Sequence, residues 1–329
     1  MRSVVVDSPG GRERLQVREV ASPSPAPGEI LIRVAYAACN WGDIQKRQGI
    51  YPDAVTYPII LGGEVSGRVE AVGPGVRGFV RGDRVAALCG PTIKGGYAER
   101  VSVPVAYAAK LPPRIRLDKG ATLLIAALTA YHLLFTATRL RRGETLLVHA
   151  VSGSVGLMVT QLAKSIGGRV IGTVGTAVKA KQALALGADK VIDRSKEDFV
   201  AAAMAFTGGR GVDLVIDSLG ADILPRSFEA LRPYGRVINI GEAAGEPEFP
   251  VRKTLYRRST SLAGFEVLHA VPGSPLWRRG LRHVLKEVEA GRLTMPIAGR
   301  FPLDSVAEMH AAMEGRGVAG KLLLTVAGG

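Results

Sequence analysis

The chain has 329 residues, 47% of them hydrophobic, a formal net charge of +14 at neutral pH and two cysteines, Cys39 and Cys89. That length exceeds the size at which single cores stop growing and predicts two domains. Two thiols exclude a disulfide framework and a four-cysteine zinc site. No run reaches the roughly 18 apolar residues of a membrane span, and Asp7 and Pro9 interrupt the N-terminus too early for a secretory signal; a cytoplasmic protein off the membrane is expected.

Valine-rich runs at Ser3 to Val6, Glu29 to Ala37, Glu64 to Val72, Asp83 to Leu88 and Tyr97 to Val103 read as short strands separated by Gly and Pro turns, so the first third is a compact β domain. From Ala121 the pattern changes. Strands at Thr145 to His149, Arg169 to Val174, Lys190 to Ile192, Asp213 to Asp217, Arg236 to Ile240 and Thr260 to Phe265 alternate with helices at Ser154 to Ile166, Ala177 to Leu186, Glu197 to Phe206 and Ala221 to Leu231. Six strands with crossover helices predict a Rossmann-type doubly wound parallel sheet, hence an α/β fold. The end of the chain, with helices over Leu276 to Glu289 and Asp304 to Glu314 and a strand over Lys321 to Val326, is expected to rejoin the first domain. The expected domains are residues 1–125 with 295–329, and 126–294.

Between the first two Rossmann strands lies HAVSGSVG, a glycine turn leading into a helix. In that position a glycine motif is informative: Gly153 lets the backbone approach a pyrophosphate, Gly156 lets helix and strand pack closely, and the amides at Ser154 and Val155 face the anion. Val151 stands where the usual fingerprint has its first glycine. The second strand ends in IGTVGT, including Thr173, with no carboxylate between Glu144 and Asp189. An acid there would recognise the ribose of NAD; one like charge about 4 Å from a 2′-phosphate would cost roughly 4 kcal/mol at an effective dielectric near 20. NADPH is therefore the expected cofactor. Lys179 is the first candidate for its 2′-phosphate and Arg194 the second, while Ser218, Gly241 and Phe265, at the ends of the later strands, complete the expected contacts.

The segments AACNWGDIQKRQGIYP (37–52), LGGEVSGRVEAVGPGV (61–76), GGYAE (95–99), LTAYHLL (128–134), IGTVGTAVKAKQALALGAD (171–189) and VIDSLG (215–220) resemble the zinc-independent branch of the medium-chain dehydrogenases and reductases, the quinone oxidoreductases. The resemblance runs nearly end to end. It implies a GroES-like catalytic domain beside the Rossmann domain, and a homodimer in which the last Rossmann strands of two subunits pair. In the zinc-dependent relatives the loop matching 40–43 supplies a cysteine ligand and the position of Gly63 a histidine; with Asn40 and Gly63 there, no metal site is expected. The resemblance also brings Asn40 and Thr129 to the nicotinamide, with Tyr51 on the loop above as either a proton donor or a wall of the pocket. It places Ser154 where the family has a glycine, Arg194 where relatives have a cofactor-contacting tyrosine, and Arg316 at an arginine that reaches the cofactor.

Without a Lewis acid, ordinary alcohol oxidation is disfavoured, whereas quinones and enones accept hydride readily because conjugation spreads the developing charge. NADPH-dependent reduction of quinones is the expected activity, with enones or enoyl thioesters as rival acceptors. A different class, a non-catalytic NADPH-responsive RNA-binding protein, is suggested only by the basic charge; the cationic residues are scattered and lack interleaved stacking motifs. Asp43 and Arg47, four apart, are expected to pair locally, and His149 and His132 to be satisfied core histidines.

Overall fold

Branched aliphatic residues punctuated by Gly and Pro give the first third its strands. The computed structural model describes residues 1–315 and 317–326. In it these strands are β1 (Arg2–Val6), β2 (Gln16–Glu19), β3 (Glu29–Ala38), β4 (Ile59–Ile60), β5 (Glu64–Val72), β6 (Arg84–Leu88), β7 (Arg100–Pro104) and β8 (Ala108–Lys110). Helices α1 (Trp41–Gln48), α2 (Leu117–Gly120) and α3 (Ala126–His132) accompany them. The alternating stretch gives β9 (Thr145–Val148), α4 (Ser154–Ser165), β10 (Arg169–Val174), α5 (Ala180–Ala185), β11 (Lys190–Asp193), α6 (Phe199–Phe206), β12 (Val212–Asp217), α7 (Ile223–Ser227), β13 (Leu231–Asn239), α8 (Val251–Tyr256) and β14 (Ser261–Gly264). The chain closes with α9 (Pro275–Glu289), β15 (Ile297–Pro302), α10 (Val306–Glu314) and β16 (Lys321–Thr325).

The backbone divides into two compact units, Met1–Leu128 with the chain from Ala270 onward, and Thr129–His269. The return thus comes after His269, earlier than the expected 294/295 boundary. The lead-in to α9 explains the difference, because Gly273 packs on the first unit so closely that a Cβ there would lie 3.1 Å from Ala106 Cβ.

In the first unit β15, β16, β3, β5, β6 and β8 follow one another in a sheet to which β7 adds by pairing with β3, and β2, β1 and β4 form a smaller sheet. The C-terminal β16 is antiparallel to β3, with Leu324 opposite Ala37. Alternation along β3 sends Ile32 and Val34 into a core shared with Val4, Leu61, Tyr97 and Met309, and Arg33 to solvent. Helix α1, absent from the sequence expectation, is started by the Asp43 carboxylate accepting from the Asn40 amide at 2.9 Å and stopped by Gly49 at φ +78°.

The second unit is a six-stranded sheet in the order β11-β10-β9-β12-β13-β14, every neighbouring pair parallel. That is the doubly wound order, with its direction reversing between β9 and β12. Leu147, Ile171, Val215 and Val237 lie in one core cluster, as expected for strands covered on both faces. The expected helix over Ala177 to Leu186 begins as a 3-10 turn, Ala177–Lys179, and β13 starts earlier than expected, at Leu231, passing Tyr234 at φ +59°.

Candidate active site

At the carboxyl end of β9 the chain turns through Ala150, held at φ +49°, a conformation costly for a residue with a side chain. The turn delivers Gly153, Ser154 and Val155, all partly exposed, to the first positions of α4. Gly156 is obligatory: a Cβ would meet Val151 O at 2.6 Å, Val151 Cα at 2.7 Å and Ala150 O at 2.8 Å. Val151, the departure from the glycine fingerprint, is fully buried, and the room for it comes from β10, where a Cβ on Gly172 would sit 2.3 Å from Val151 Cγ1. One glycine is in effect exchanged for another across two strands. The cradle fits a pyrophosphate, since it is a helix N-terminus whose residues Gly153, Ser154 and Val155 are partly exposed.

His149 braces this turn from below. Ser227 Oγ donates to Ile223 O at 2.7 Å, so it accepts from His149 Nε2 at 2.9 Å, which leaves Nδ1 to accept from Thr173 Oγ1 at 2.9 Å. Burial, reinforced by the Arg194 guanidinium, holds the imidazole at about 3, so it stays neutral. Thr173 therefore needs correction as a cofactor contact: its side chain is fully buried and its hydroxyl is given to His149. Lys179 ends the turn after β10, its amide donating to Thr176 O at 3.2 Å, and Arg194 follows β11 with its amide on Val174 O at 3.0 Å. The sequence contains no acid at the β10 tip, but the sheet brings Asp193 beside it, where Ser195 and the Ala177 amide hold that carboxyl below its ordinary value.

At the ends of the next strands, the buried Asp217 accepts from Leu219 N at 3.1 Å, Gly220 N at 3.0 Å and Asn239 Nδ2 at 3.0 Å; Asn239 Nδ2 also donates to Gly241 O at 3.0 Å. This clamp, invisible in the sequence, sets Ser218 and Gly241 side by side, Ser218 O lying 3.8 Å from where a Gly241 Cβ would be. Phe265 follows β14, its amide on Asn239 O at 3.0 Å. Gly153, Ser154, Val155, Ser218, Gly241 and Phe265 thus share the carboxyl edge of one sheet, where ligands of doubly wound folds bind. Thr129 is buried in α3. Arg316 lies outside the described residues.

The other constellation surrounds α1. Lys321, fully buried on β16, donates to Asn40 Oδ1 at 2.5 Å and pairs with Glu64 at 2.6 Å; Glu64 also accepts from Ile125 N at 2.9 Å. Asn40, expected at the nicotinamide, is partly exposed and oriented by this network. Its amide oxygen belongs to this network, and its Nδ2 reaches Glu64 at 3.3 Å and Ala38 O at 3.4 Å. Tyr51 lies over α1, its Cε2 at 3.3 Å from where a Gly42 Cβ would be, with Lys46 Nζ 4.6 Å from its ring centroid. Lys46 is nearly buried and donates to Thr92 O and Ile93 O at 2.7 Å each. Asp43 and Arg47 do not pair. Asp43 accepts from Asn40 N, Gly62 N and Tyr97 Oη, and Arg47 reaches Glu314 at 2.6 Å and His310 Nδ1 at 3.3 Å, because α1 turns its buried face toward α10.

The place that an imidazole at position 63 would need is filled, a Cβ there lying 2.1 Å from Ile93 Cγ2 and 3.3 Å from Ile125 Cδ1. Cys39 and Cys89 are both buried, and burial pushes each thiol up, Cys39 to about 12. Their nucleophilicity is correspondingly suppressed.

Two buried histidines give a pH prediction. His149 and His310 both drop from 6.5 to about 3, chiefly through burial. The unfolded chain binds their protons first, so stability present above 6.5 is lost as pH falls toward 3. The melting temperature should fall across that window, and more shallowly in His310→Gln; an identical slope in the variant would remove His310 from the account.

Comparison with known proteins places these features in context. Residues 26–113 match the family model of the alcohol dehydrogenase GroES-like domain and residues 154–282 that of the zinc-binding dehydrogenases. The chain is 34% identical to a 2-haloacrylate reductase of a Burkholderia species over 98% of both chains. It is 35% identical to a probable quinone oxidoreductase of Schizosaccharomyces pombe, over 98% of this chain and 96% of that one. The solved structure of Escherichia coli quinone oxidoreductase complexed with NADPH superposes with a TM-score of 0.94 at 30% identity, covering 99% of this chain and 100% of that one.

Proposed function

Because this chain belongs to the quinone oxidoreductase family of the medium-chain dehydrogenases and reductases, we propose that it is an NADPH-dependent oxidoreductase that reduces quinones without a metal. The observation that carries the proposal is the turn from Ala150 to Gly156, which brings the partly exposed Gly153, Ser154 and Val155 to the N-terminus of α4, a place that suits a pyrophosphate. When bound, NADPH supplies the hydride. Gly153, Ser154 and Val155 would hold its pyrophosphate, Lys179 and Arg194 its 2′-phosphate, and Ser218, Gly241 and Phe265 the rest of the dinucleotide along the sheet edge. Asp193, kept ionised by its hydrogen bonds from Ser195, sets one negative charge beside that phosphate, which the two cations Lys179 and Arg194 would outweigh.

Lys179→Ala is expected to raise KM for NADPH about tenfold or more while leaving KM for NADH little changed, since a charge-assisted phosphate contact is lost. Equal effects on the two cofactors, in steady-state rates, would take Lys179 out of the site.

With Ile93 and Ile125 filling the place of a metal-ligating imidazole, an acceptor has to be one that takes hydride without Lewis-acid help. Conjugated quinones meet that condition. An activated alkene is the second reading, favoured by the likeness to 2-haloacrylate reductase and by Tyr51, a phenol held between Gly42 and Lys46 that could return the proton such a reduction needs. Following NADPH absorbance with 1,4-benzoquinone, 9,10-phenanthrenequinone and crotonyl-CoA separates the readings: quinone turnover is expected, and turnover of crotonyl-CoA alone overturns the quinone assignment.

The proposal extends to a homodimer built on β14. All four residues of this sheet-edge strand are exposed, and Leu262 on it keeps 37% of its surface open, with Tyr256 at 75% on the preceding helix. Edge strands left this open invite pairing. Light scattering should give a dimer for the parent chain and a monomer for Leu262→Lys; a monomeric parent contradicts the reading.

A further inference from the structure

The positive residues that look scattered along the sequence are not scattered on the first unit. Antiparallel pairing sets Arg33 opposite Arg100 on one side and opposite Arg68 on the other, and Arg68 in turn opposite Arg84. Four strands, β7, β3, β5 and β6, therefore carry arginine at one register level. Like charges directly opposite one another in a sheet are destabilising, so such a row is an expense that the fold does not need.

Its surroundings decide what it is suited to. Arg84 is engaged, donating to Pro112 O and Pro113 O at 3.3 and 3.0 Å. The other three line an open groove of about 320 Å³ together with Arg81 and Glu70. Two of the groove arginines are held in place: Arg68 Nη1 donates to Gly82 O at 3.1 Å, and Arg100 meets both Glu70 oxygens through Nε alone, at 3.0 and 3.1 Å. Among the described residues neither terminal nitrogen of Arg100 has an acceptor. Arg33 and Arg81 are exposed and have no carboxylate partner among the described residues. Four guanidinium groups against one carboxylate leave a surplus of three positive charges, and two of the four groups, Arg68 and Arg100, are held as pre-positioned forks of the geometry that fits phosphate.

The chemistry of the lining narrows the partner. No aromatic residue faces the groove, so a nucleobase has nothing to stack on. We infer that the groove over Arg33, Arg68, Arg81 and Arg100 binds a small, multiply charged phosphate anion, recognised through its phosphates alone, at a site made entirely within residues 33–100 and independent of the cofactor reading. The phosphates can be free, as in inorganic polyphosphate, or borne on a nucleotide.

Calorimetry on the full chain saturated with NADPH tests this, with tripolyphosphate and ATP as probes at low and high salt. Tripolyphosphate should bind once per chain, more weakly as salt rises, and Arg33→Ser/Arg68→Ser should weaken it about tenfold or more. Lys179→Ala should leave it unchanged, which separates this groove from any phosphate site on the second unit. ATP binding that falls in the same double variant assigns nucleotide-borne phosphate as well as free polyphosphate; absent ATP binding confines the site to free polyphosphate. Binding of ATP without tripolyphosphate, or equal affinity in parent and double variant, overturns the inference. So does an unstructured oligonucleotide that depends on the same arginines and binds more tightly than tripolyphosphate. Without any anion, the double variant should melt no lower than the parent, because a like-charge pair has been removed; a sharp fall would make the arginines structural and overturn the inference too.

Discussion

Gly156→Ala is expected to weaken NADPH binding by about tenfold or more and to lower the melting temperature, with Gly153→Ala lowering the melting temperature much less. The added methyl of the first variant meets three backbone atoms, the nearest at 2.6 Å, and none of them can rotate aside. Helix α4 must then withdraw from the turn or the turn must open, and overpacking of this kind costs roughly 1–3 kcal/mol. The same displacement moves the amides at Ser154 and Val155 away from the anion they would hold. At Gly153 the φ of −72° suits any residue and the nearest atom, Ala150 O, is 3.1 Å away. Calorimetric titration of both variants with NADPH decides the matter. Equal affinities for Gly156→Ala and the parent would mean that the pyrophosphate is held elsewhere. Gly172→Ala offers a check on the packing argument, because its clash is with the Val151 side chain, Cγ1 at 2.3 Å and Cβ at 2.6 Å, and should be relieved by Val151→Gly.

Lys321→Met is expected to destabilise the protein by about 3–5 kcal/mol, the cost of leaving a buried charge without its partner. Lys321 and Glu64 are each 1% exposed and 2.6 Å apart, so removing the ammonium leaves the Glu64 carboxylate with the Ile125 amide and the distant Asn40 Nδ2. Lys321→Met/Glu64→Gln should recover much of the loss, since a neutral amide no longer demands a counter-charge. Activity should not recover in parallel. Lys321 also holds Asn40 Oδ1, and with that contact gone Asn40, at the head of α1 below Tyr51, is free to reorient. A double variant that melts like the parent but turns over more slowly, with KM for NADPH unchanged, is the expected outcome. Full recovery of both quantities would reduce the network to a stability role, and a single variant as stable as the parent would contradict the buried pair itself.

Much of the second unit could be read in the sequence because its signals are local. The run TLLVHAVSGSVG announces a strand, a turn and a helix N-terminus, and β10 has the expected bounds to the residue. The positions of Gly153, Ser154, Val155, Ser218, Gly241 and Phe265 at strand ends were legible for the same reason, and they lie along one edge of the sheet. Thr173 was misjudged because the direction of a strand-end side chain depends on what packs below it, here His149. The network that orients Asn40 was illegible for a similar reason, since its partner Lys321 lies 281 residues away. Asp43 and Arg47 have helical spacing, which suggested a pair, but each found a stronger partner on another element.

Sequence alone determined the α/β class, the order of the Rossmann elements and the acid-free tip of β10, because hydrophobic period, glycine and the absence of a carboxylate are properties of neighbouring residues. Tertiary structure alone decided that Val151 is tolerated over Gly172, that Asp193 stands beside the β10 tip, that Lys321, Glu64 and Asn40 form one buried network, and that Arg33, Arg68, Arg84 and Arg100 share a row. Each of these depends on strand register or on long-range packing, and register is set by which faces the whole sheet buries rather than by any one segment.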